Sequence, residues 1–188
     1  MNPANAGARI AIDLDDVLAD LIGELLHLYC KRHGVDMRRE DVVDWDTFPE
    51  DVHNAIRKDG GYESLSPIPG ADEFLAWLAV RYETHIVTYR SPAAREETTR
   101  WLQAHMPQVY QDVHFADGSK VSICRSLGVE LLIDDSVNQL PPVTKELGIP
   151  GILIDTPMNR RIRQSSRIKR AYNFTEAREH VCGMLGRG

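Results

Sequence analysis

Four places along this chain carry residues suited to handling a phosphoryl group. Asp13-Leu14-Asp15 follows the apolar run Arg9-Ile10-Ala11-Ile12, and Thr88 follows Thr84-His85-Ile86-Val87. Lys120 follows Gly118-Ser119, and Asp134-Asp135 follows Glu130-Leu131-Leu132-Ile133. A dianionic phosphate needs a divalent cation, and magnesium prefers oxygen ligands with several waters retained. Asp13 and Asp134 offer two such carboxylates. The charge on the phosphoryl oxygens calls for a cation and for hydroxyl or backbone donors, which Lys120 and Thr88 offer. Singly these features are ordinary. Asp-x-Asp can cap a loop, a strand-end Thr can be structural, a Gly-Ser-Lys lysine can be solvated, and Asp134-Asp135 can cap a following helix. Their order, each at a strand end or a helix start, points to one shared site.

The elements that must bring them together read as alternating strands and helices. Runs at 9–12, 84–87, 130–133 and 151–154 read as buried strands, with Asp112-Val113-His114-Phe115 a weaker one. Helical stretches lie at Ala71 to Val80, Ala93 to His105, Lys120 to Leu127, Val137 to Leu147 and Glu176 to Leu185. The alternation predicts an α/β fold, a doubly wound parallel sheet whose strand carboxyl ends converge on one crevice. The stretch 18–66 breaks the rhythm. It has no strand signal, but Leu21, Leu25, Leu26, Leu28 and Tyr29 form a helical stripe, and Asp41 to Trp45 and Pro49 to Arg57 read as short helices. Gly60-Gly61 and Pro67-Ile68-Pro69-Gly70 mark the return. The expectation is a core of 8–17 and 67–188 with a small helical cap, 18–66, inserted after the first strand.

Composition narrows the class of partner. A formal net charge of −6 argues against broad attraction to a nucleic acid polymer or an anionic membrane, but leaves room for a small phosphorylated substrate. No apolar run approaches the roughly 20 residues that cross a bilayer. Met1 to Gly7 lacks the basic and apolar regions of a signal peptide, so a cytoplasmic location is expected. Cys30, Cys124 and Cys182 are far apart with no Cys-x-x-Cys or Cys/His spacing, which argues for free thiols rather than a disulfide framework or zinc site. A homo-oligomer is left open.

The segment Ile10-Ala11-Ile12-Asp13-Leu14-Asp15-Asp16-Val17-Leu18-Ala19-Asp20 resembles the first motif of the haloacid dehalogenase (HAD-like) superfamily, and its Val-Leu-Ala-Asp is similar to the 5′(3′)-deoxyribonucleotidase branch. Thr88 matches the second motif, Lys120 the third and Leu131-Leu132-Ile133-Asp134-Asp135 the fourth. Ser64 to Ala71, Asp155 to Arg160 and Tyr172-Asn173-Phe174 also resemble that branch. The resemblance implies a Mg2+-dependent phosphomonoesterase on a Rossmann-like sheet. Asp13 would be the nucleophile and Asp15 the general acid and base. Mg2+ would sit on the Asp13 carboxylate, the Asp15 backbone carbonyl and the Asp134 carboxylate. Thr88, the Tyr89 backbone N–H and Lys120 would hold the phosphate, and Asp135 would orient the metal's water or Lys120.

The usual Gly after the first dyad is Asp16 here, at a turn position that Asp tolerates better than most residues. Cap positions that are aromatic in the animal enzymes hold Leu21 and Ile56, leaving Trp45, Phe48 and Tyr62 as the expected base-stacking residues. Arg90 and the basic run from Arg160-Arg161-Ile162-Arg163 to Arg167-Ile168-Lys169-Arg170 are candidates for a second phosphate contact; otherwise the run reads as solvated loop and helix surface. A phosphatase for another small phosphomonoester is the enzymatic alternative. A phospho-Asp receiver domain shares the residue types, but places its acidic pair before its phosphorylated Asp, the reverse of the order here.

Overall fold

Apolar side chains on successive strand residues require a sheet covered on both faces. In β1 (Arg9–Ile12), Ile10, Ala11 and Ile12 are all fully buried, although neighbouring side chains point to opposite faces. The computed structural model describes residues 7–58, 60–107, 113–161 and 164–186; Asp112, Ile162, Arg163 and the segment 1–6 lie outside the described residues. Its sheet is six-stranded and parallel, with β1 inside it. On one side of β1 lie β2 (Glu83–Thr88) and then β3 (Val113–Phe115). On the other lie β4 (Leu131–Asp134), β5 (Gly151–Ile154) and β6 (Ile168–Ala171).

The chain therefore winds outward from β1 in one direction, returns, and winds outward in the other. The gap between β1 and β4 is the topological switch point, where ligands of open α/β sheets bind. Ile12 is in register with both Ile86 and Ile133, and the Asp13 N–H donates to the Ile133 carbonyl at 2.9 Å. One step past this register, Asp13 and Asp134 emerge side by side.

Helices complete both faces. On one, α3 (Ala71–Arg81), α4 (Arg95–His105) and α7 (Phe174–Leu185) bring Phe74, Leu75, Leu78, Trp101, Ala177 and Val181 onto Ile10, Ile12 and Ile133. On the other, α5 (Lys120–Leu127) and α6 (Leu140–Leu147) lay Val121, Cys124, Leu140 and Val143 on Ala11, Val87, Leu132 and Leu153. Glycine is required at the start of β5, since a Cβ on Gly151 would come within 2.7 Å of Leu140 and Thr144 side-chain carbons.

The edge strand β6 departs from the expectation that the basic run is loop and helix surface. Lys169 points to solvent, whereas Arg170 turns inward to Asp155 at 2.5 Å and Asn159 at 2.5 Å, so a charged pair of residues continues the sheet.

Between β1 and α3 the described residues form two helices, α1 (Leu21–His33) and α2 (Glu50–Arg57), and short 3₁₀ turns at Arg39–Asp41, Trp45–Thr47 and Gly61–Ser64. Asp41 to Trp45 is not the helix expected. The Asp44 side chain accepts the Thr47 N–H at 3.1 Å, closing a turn that competes with helix. Departure and return pair with each other: Asp20 N–H donates to Ser66 at 2.9 Å, and Ile68 N–H to Leu18 at 2.8 Å. Asp16 is the one non-glycine residue with positive φ (57°) among the described residues, and its Oδ1 accepts the Ile22 N–H at 2.8 Å. That bond fixes the angle at which α1 leaves the strand end.

The return is pinned by α4, where the fully buried Trp101 donates its Nε1–H to the Leu65 carbonyl at 2.7 Å. Trp101→Phe leaves that carbonyl buried without a donor. It should cost about 1–3 kcal/mol, measured by chemical denaturation.

Candidate active site

The floor of the site is a cluster of acids around one ammonium. Lys120 is the first residue of α5, a position where the helix dipole disfavours a cation. Its fully buried Nζ lies 2.7 Å from Asp13 Oδ1 and 2.7 Å from Asp134 Oδ2, and these carboxylates supply what the dipole withholds. Its backbone N–H donates to Gln139 Oε1 at 3.1 Å. Asp134 takes the Ser136 N–H on its other oxygen at 2.7 Å. This is a local turn, not the helix cap that the sequence also allowed, because α6 begins only at Leu140.

Charge in this cluster is not balanced. Burial pushes the Asp13 carboxyl up to about 7, against the pull of Lys120 and with the repulsion of Asp134. Burial, and then Asp16, Asp134 and Asp13, hold Asp135 well above the ordinary carboxylate range. Asp16 is also raised, by burial first and against its bond from Ile22. Burial alone would lower the Lys120 pKa, but Asp13 and Asp134 outweigh it and hold the ammonium charged.

Asp13, Asp134 and Asp135 each present a carboxylate oxygen within 4.8 Å of the others. Asp13 Oδ1 has no well-aligned hydrogen-bond donor, its contact with Lys120 being an ion pair. An all-oxygen, net-negative donor set of this kind suits a hard divalent cation such as Mg2+. Asp135 thus joins the other two acids more directly than its expected supporting part.

Above the acids opens a cleft of about 870 Å³, lined by Asp13, Asp15, Lys120 and Asp135 below and by Val43, Trp45, Ile56 and Tyr62 from the inserted segment. Thr88 is fully buried and does not line it; its Oγ1 accepts the Arg90 N–H at 3.2 Å, shaping the turn that carries Tyr89 to the cleft wall.

Three expectations need correction. Phe48 is buried, with its ring edge-on to Tyr29 and His53, and does not line the cleft; it packs the interior of the segment between β1 and α3. Tyr62 lines the cleft but is largely buried, and its ring covers the Arg90 guanidinium, with Cζ 4.2 Å from the ring centre. Trp45 keeps an exposed ring, at 43%. Arg90 is not a free phosphate contact. Its fully buried side chain grips Asp15 from Nη2 at 2.6 Å and Nε at 2.9 Å, and donates from Nη1 to Thr98 at 3.1 Å. Leu21 and Ile56 both line the cleft and present aliphatic side chains to it.

Some contributors gave no sequence signal. Gln139 and Thr98 lie in ordinary polar surroundings. Asn159, within a stretch singled out only by resemblance, donates to the Asp135 carbonyl at 2.9 Å and the Ile154 carbonyl at 2.7 Å.

The raised Asp13 pKa has a consequence for the metal-free protein. Between the ordinary value of 3.8 and about 7, the folded state holds a proton that the unfolded chain has released, so stability falls as pH rises through that window. Asp13→Asn removes this loss and leaves Lys120 paired with Asp134. In chelator at pH 8 the variant should melt a few degrees above the parent, at about 2–4 °C per kcal/mol, with the gap closing toward pH 4.

Residues 8–184 match the family model described as 5′ nucleotidase, deoxy (Pyrimidine), cytosolic type C protein. A 5′(3′)-deoxyribonucleotidase of Bacillus subtilis (strain 168) is 26% identical over 176 residues, covering 89% of this chain and 94% of that protein. Solved structures share the fold. A haloacid dehalogenase-like hydrolase from Streptococcus pneumoniae aligns with a TM-score of 0.61 at 15% identity, covering 94% of this chain and 99% of that one. The HAD-hydrolase YfnB of Bacillus subtilis, bound to magnesium, aligns at 0.60 and 13% identity, over 94% and 99%. With a parallel α/β sheet, an acid cluster at its switch point and a family match over nearly its whole length, this chain belongs to the cytosolic type C 5′-nucleotidase family, within the HAD-like phosphoric monoester hydrolases.

Proposed function

We propose that this enzyme hydrolyses deoxynucleoside monophosphates through an aspartyl-phosphate formed on Asp13, with Mg2+ as cofactor. The observation that carries the reading is the cleft: reacting acids at its floor, and at its rim the exposed ring of Trp45. At about 870 Å³ it lies within the range that encloses a molecule of nucleotide size. The deoxyribonucleotide assignment leans on the Bacillus subtilis relative, whose name states it.

The residues divide the work. An Asp13 oxygen attacks phosphorus while the bond to the leaving ester oxygen breaks, and the Asp15 carboxyl gives that oxygen its proton. Asp15, now ionised, takes a proton from water, which attacks the aspartyl-phosphate and frees Asp13 and inorganic phosphate. Lys120 neutralises phosphoryl charge and the Tyr89 N–H donates to its oxygens, while Thr88, expected as a direct phosphate contact but buried outside the cleft, shapes the turn that presents Tyr89. Asp13, Asp134 and Asp135 carboxylates, with the Asp15 carbonyl, would hold Mg2+, which screens the anionic nucleophile from the anionic ester. Residues 18–66 act as the cap, excluding water and touching the leaving group, while the core touches the phosphate.

A hydrolysis screen with Mg2+ tests this directly, with 5′- and 3′-deoxynucleoside monophosphates set against sugar phosphates and p-nitrophenyl phosphate. Nucleotides should be turned over best; a clear preference for sugar phosphates would overturn the assignment. Asp13→Asn should fall to near background, and Asp15→Asn should lose roughly 10²–10⁴-fold while still binding metal. Thorough chelation should abolish turnover, and Asp134→Ala should raise the Mg2+ concentration needed to restore it. Trp45→Ala should raise KM for a nucleotide several-fold or more, since base stacking is worth about 1–3 kcal/mol, and affect p-nitrophenyl phosphate much less.

A further inference from the structure

Arg90 is a buried cation, in the loop after β2, that the reaction as written does not use. Both edges of its guanidinium are committed. One grips Asp15 through Nε and Nη2, and the other donates to Thr98 on α4. Its face is covered by Tyr62, which belongs to the returning cap segment. These contacts share a platform. Besides Thr98, α4 carries Arg100, which pairs with Glu63 at 2.8 Å, and Trp101, which bonds Leu65. The turn bearing Tyr62 is also pressed against α2, where a Cβ on Gly61 would meet the Ile56 backbone at 2.6 Å. Tyr62 and Arg90 are thus held from two sides, and Asp15 is the most exposed of the three, at 19% of its side chain.

We propose that Arg90 is a positioning residue that fixes the Asp15 carboxyl group, which carries the proton on Oδ2, for proton delivery to the leaving group, and that Tyr62 makes this positioning depend on the seating of the cap. A fork held rigidly at its far end sets the plane of the group it grips: Oδ1 accepts from both Nε and Nη2, whereas Oδ2 accepts from Nε alone and keeps a lone pair that can carry a proton. Lysine in the same place would keep the charge but lose the fork. A cap displaced from its seat would withdraw the Tyr62 ring and free the guanidinium to turn, so catalysis would respond to what fills the cap. The inference rests on the proposed role of Asp15.

Leaving-group dependence separates this from other roles. An alkyl ester such as a deoxynucleoside monophosphate needs its departing oxygen protonated, whereas p-nitrophenolate departs without help. The ratio of kcat at saturation for the alkyl ester to that for p-nitrophenyl phosphate therefore reports proton delivery, whereas a lost base contact, as in Trp45→Ala, moves KM instead. Arg90→Lys should lower this ratio at least about tenfold. Its inhibition by inorganic phosphate should stay within about threefold of the parent. Tyr62→Leu and Thr98→Val should lower the ratio in the same direction, with Tyr62→Phe losing less than Tyr62→Leu. If Arg90→Lys does not fold, these variants carry the test alone. Equal losses on both esters would overturn the proposal, whether phosphate inhibition weakens (a phosphate clamp) or not (general structural damage). Asp15→Asn is the control. A ratio unchanged there refutes the acid role and this proposal with it. A ratio lowered there but unchanged in the Arg90, Tyr62 and Thr98 variants refutes this proposal alone.

Discussion

Three carboxylates crowd around one ammonium where β1 and β4 part, and the rest of the structure is arranged to keep them there. Like charges within 4.8 Å repel by on the order of 3–4 kcal/mol per pair at an effective dielectric of 20. Side chains free to move would relieve this by turning away into water. Here they are not free. Asp13 and Asp134 extend parallel strands whose registers are locked by fully buried Ile12, Ile86 and Ile133 on one face and Ala11, Val87 and Leu132 on the other. The hydrophobic core therefore offsets an electrostatic cost that the site itself cannot, and the raised Asp13 and Asp135 pKa values record that cost.

The loops beyond the strand ends hold the same geometry by satisfying backbone groups. After β4, the turn takes a bond from Ser136 to Asp134, and the amide of Asn159 ties the Asp135 carbonyl to that of Ile154 at the end of β5. Asn159 is in turn held by Arg170 of β6. An edge strand thus supports a loop two strands away through two side chains. Buried polar groups that are paired in this way specify one arrangement, because each alternative leaves a donor or acceptor without a partner.

What could be read from sequence follows from which interactions are local. Strands that end in Asp13, Thr88 and Asp134 announce themselves by apolar runs, and helix α5 begins at Lys120 as expected. The sixth strand was hidden because its alternation pairs a solvated Lys169 with an Arg170 that is buried only by virtue of Asp155 and Asn159. Aromatic content flagged Trp45, Phe48 and Tyr62 alike. Only tertiary packing distinguishes a ring in the core, a ring over a guanidinium and a ring in the open. Arg90 looked like a ligand for phosphate because its partner, Asp15, is 75 residues away.

Where the groups come from explains how chemistry and recognition can vary separately on such a scaffold. The acids and Lys120 stand on strand ends and a helix start of the sheet, and their spacing is set by strand pairing. Val43 and Trp45, by contrast, are exposed at the cleft rim, and Trp45 contacts Phe48 and His53 of the same segment. A substitution there alters the cleft rim without moving a carboxylate. Tyr62 is different. Though it lies between β1 and α3, it rests on Arg90 and through it on Asp15, so a change there reaches Asp15 as well as the wall of the cleft.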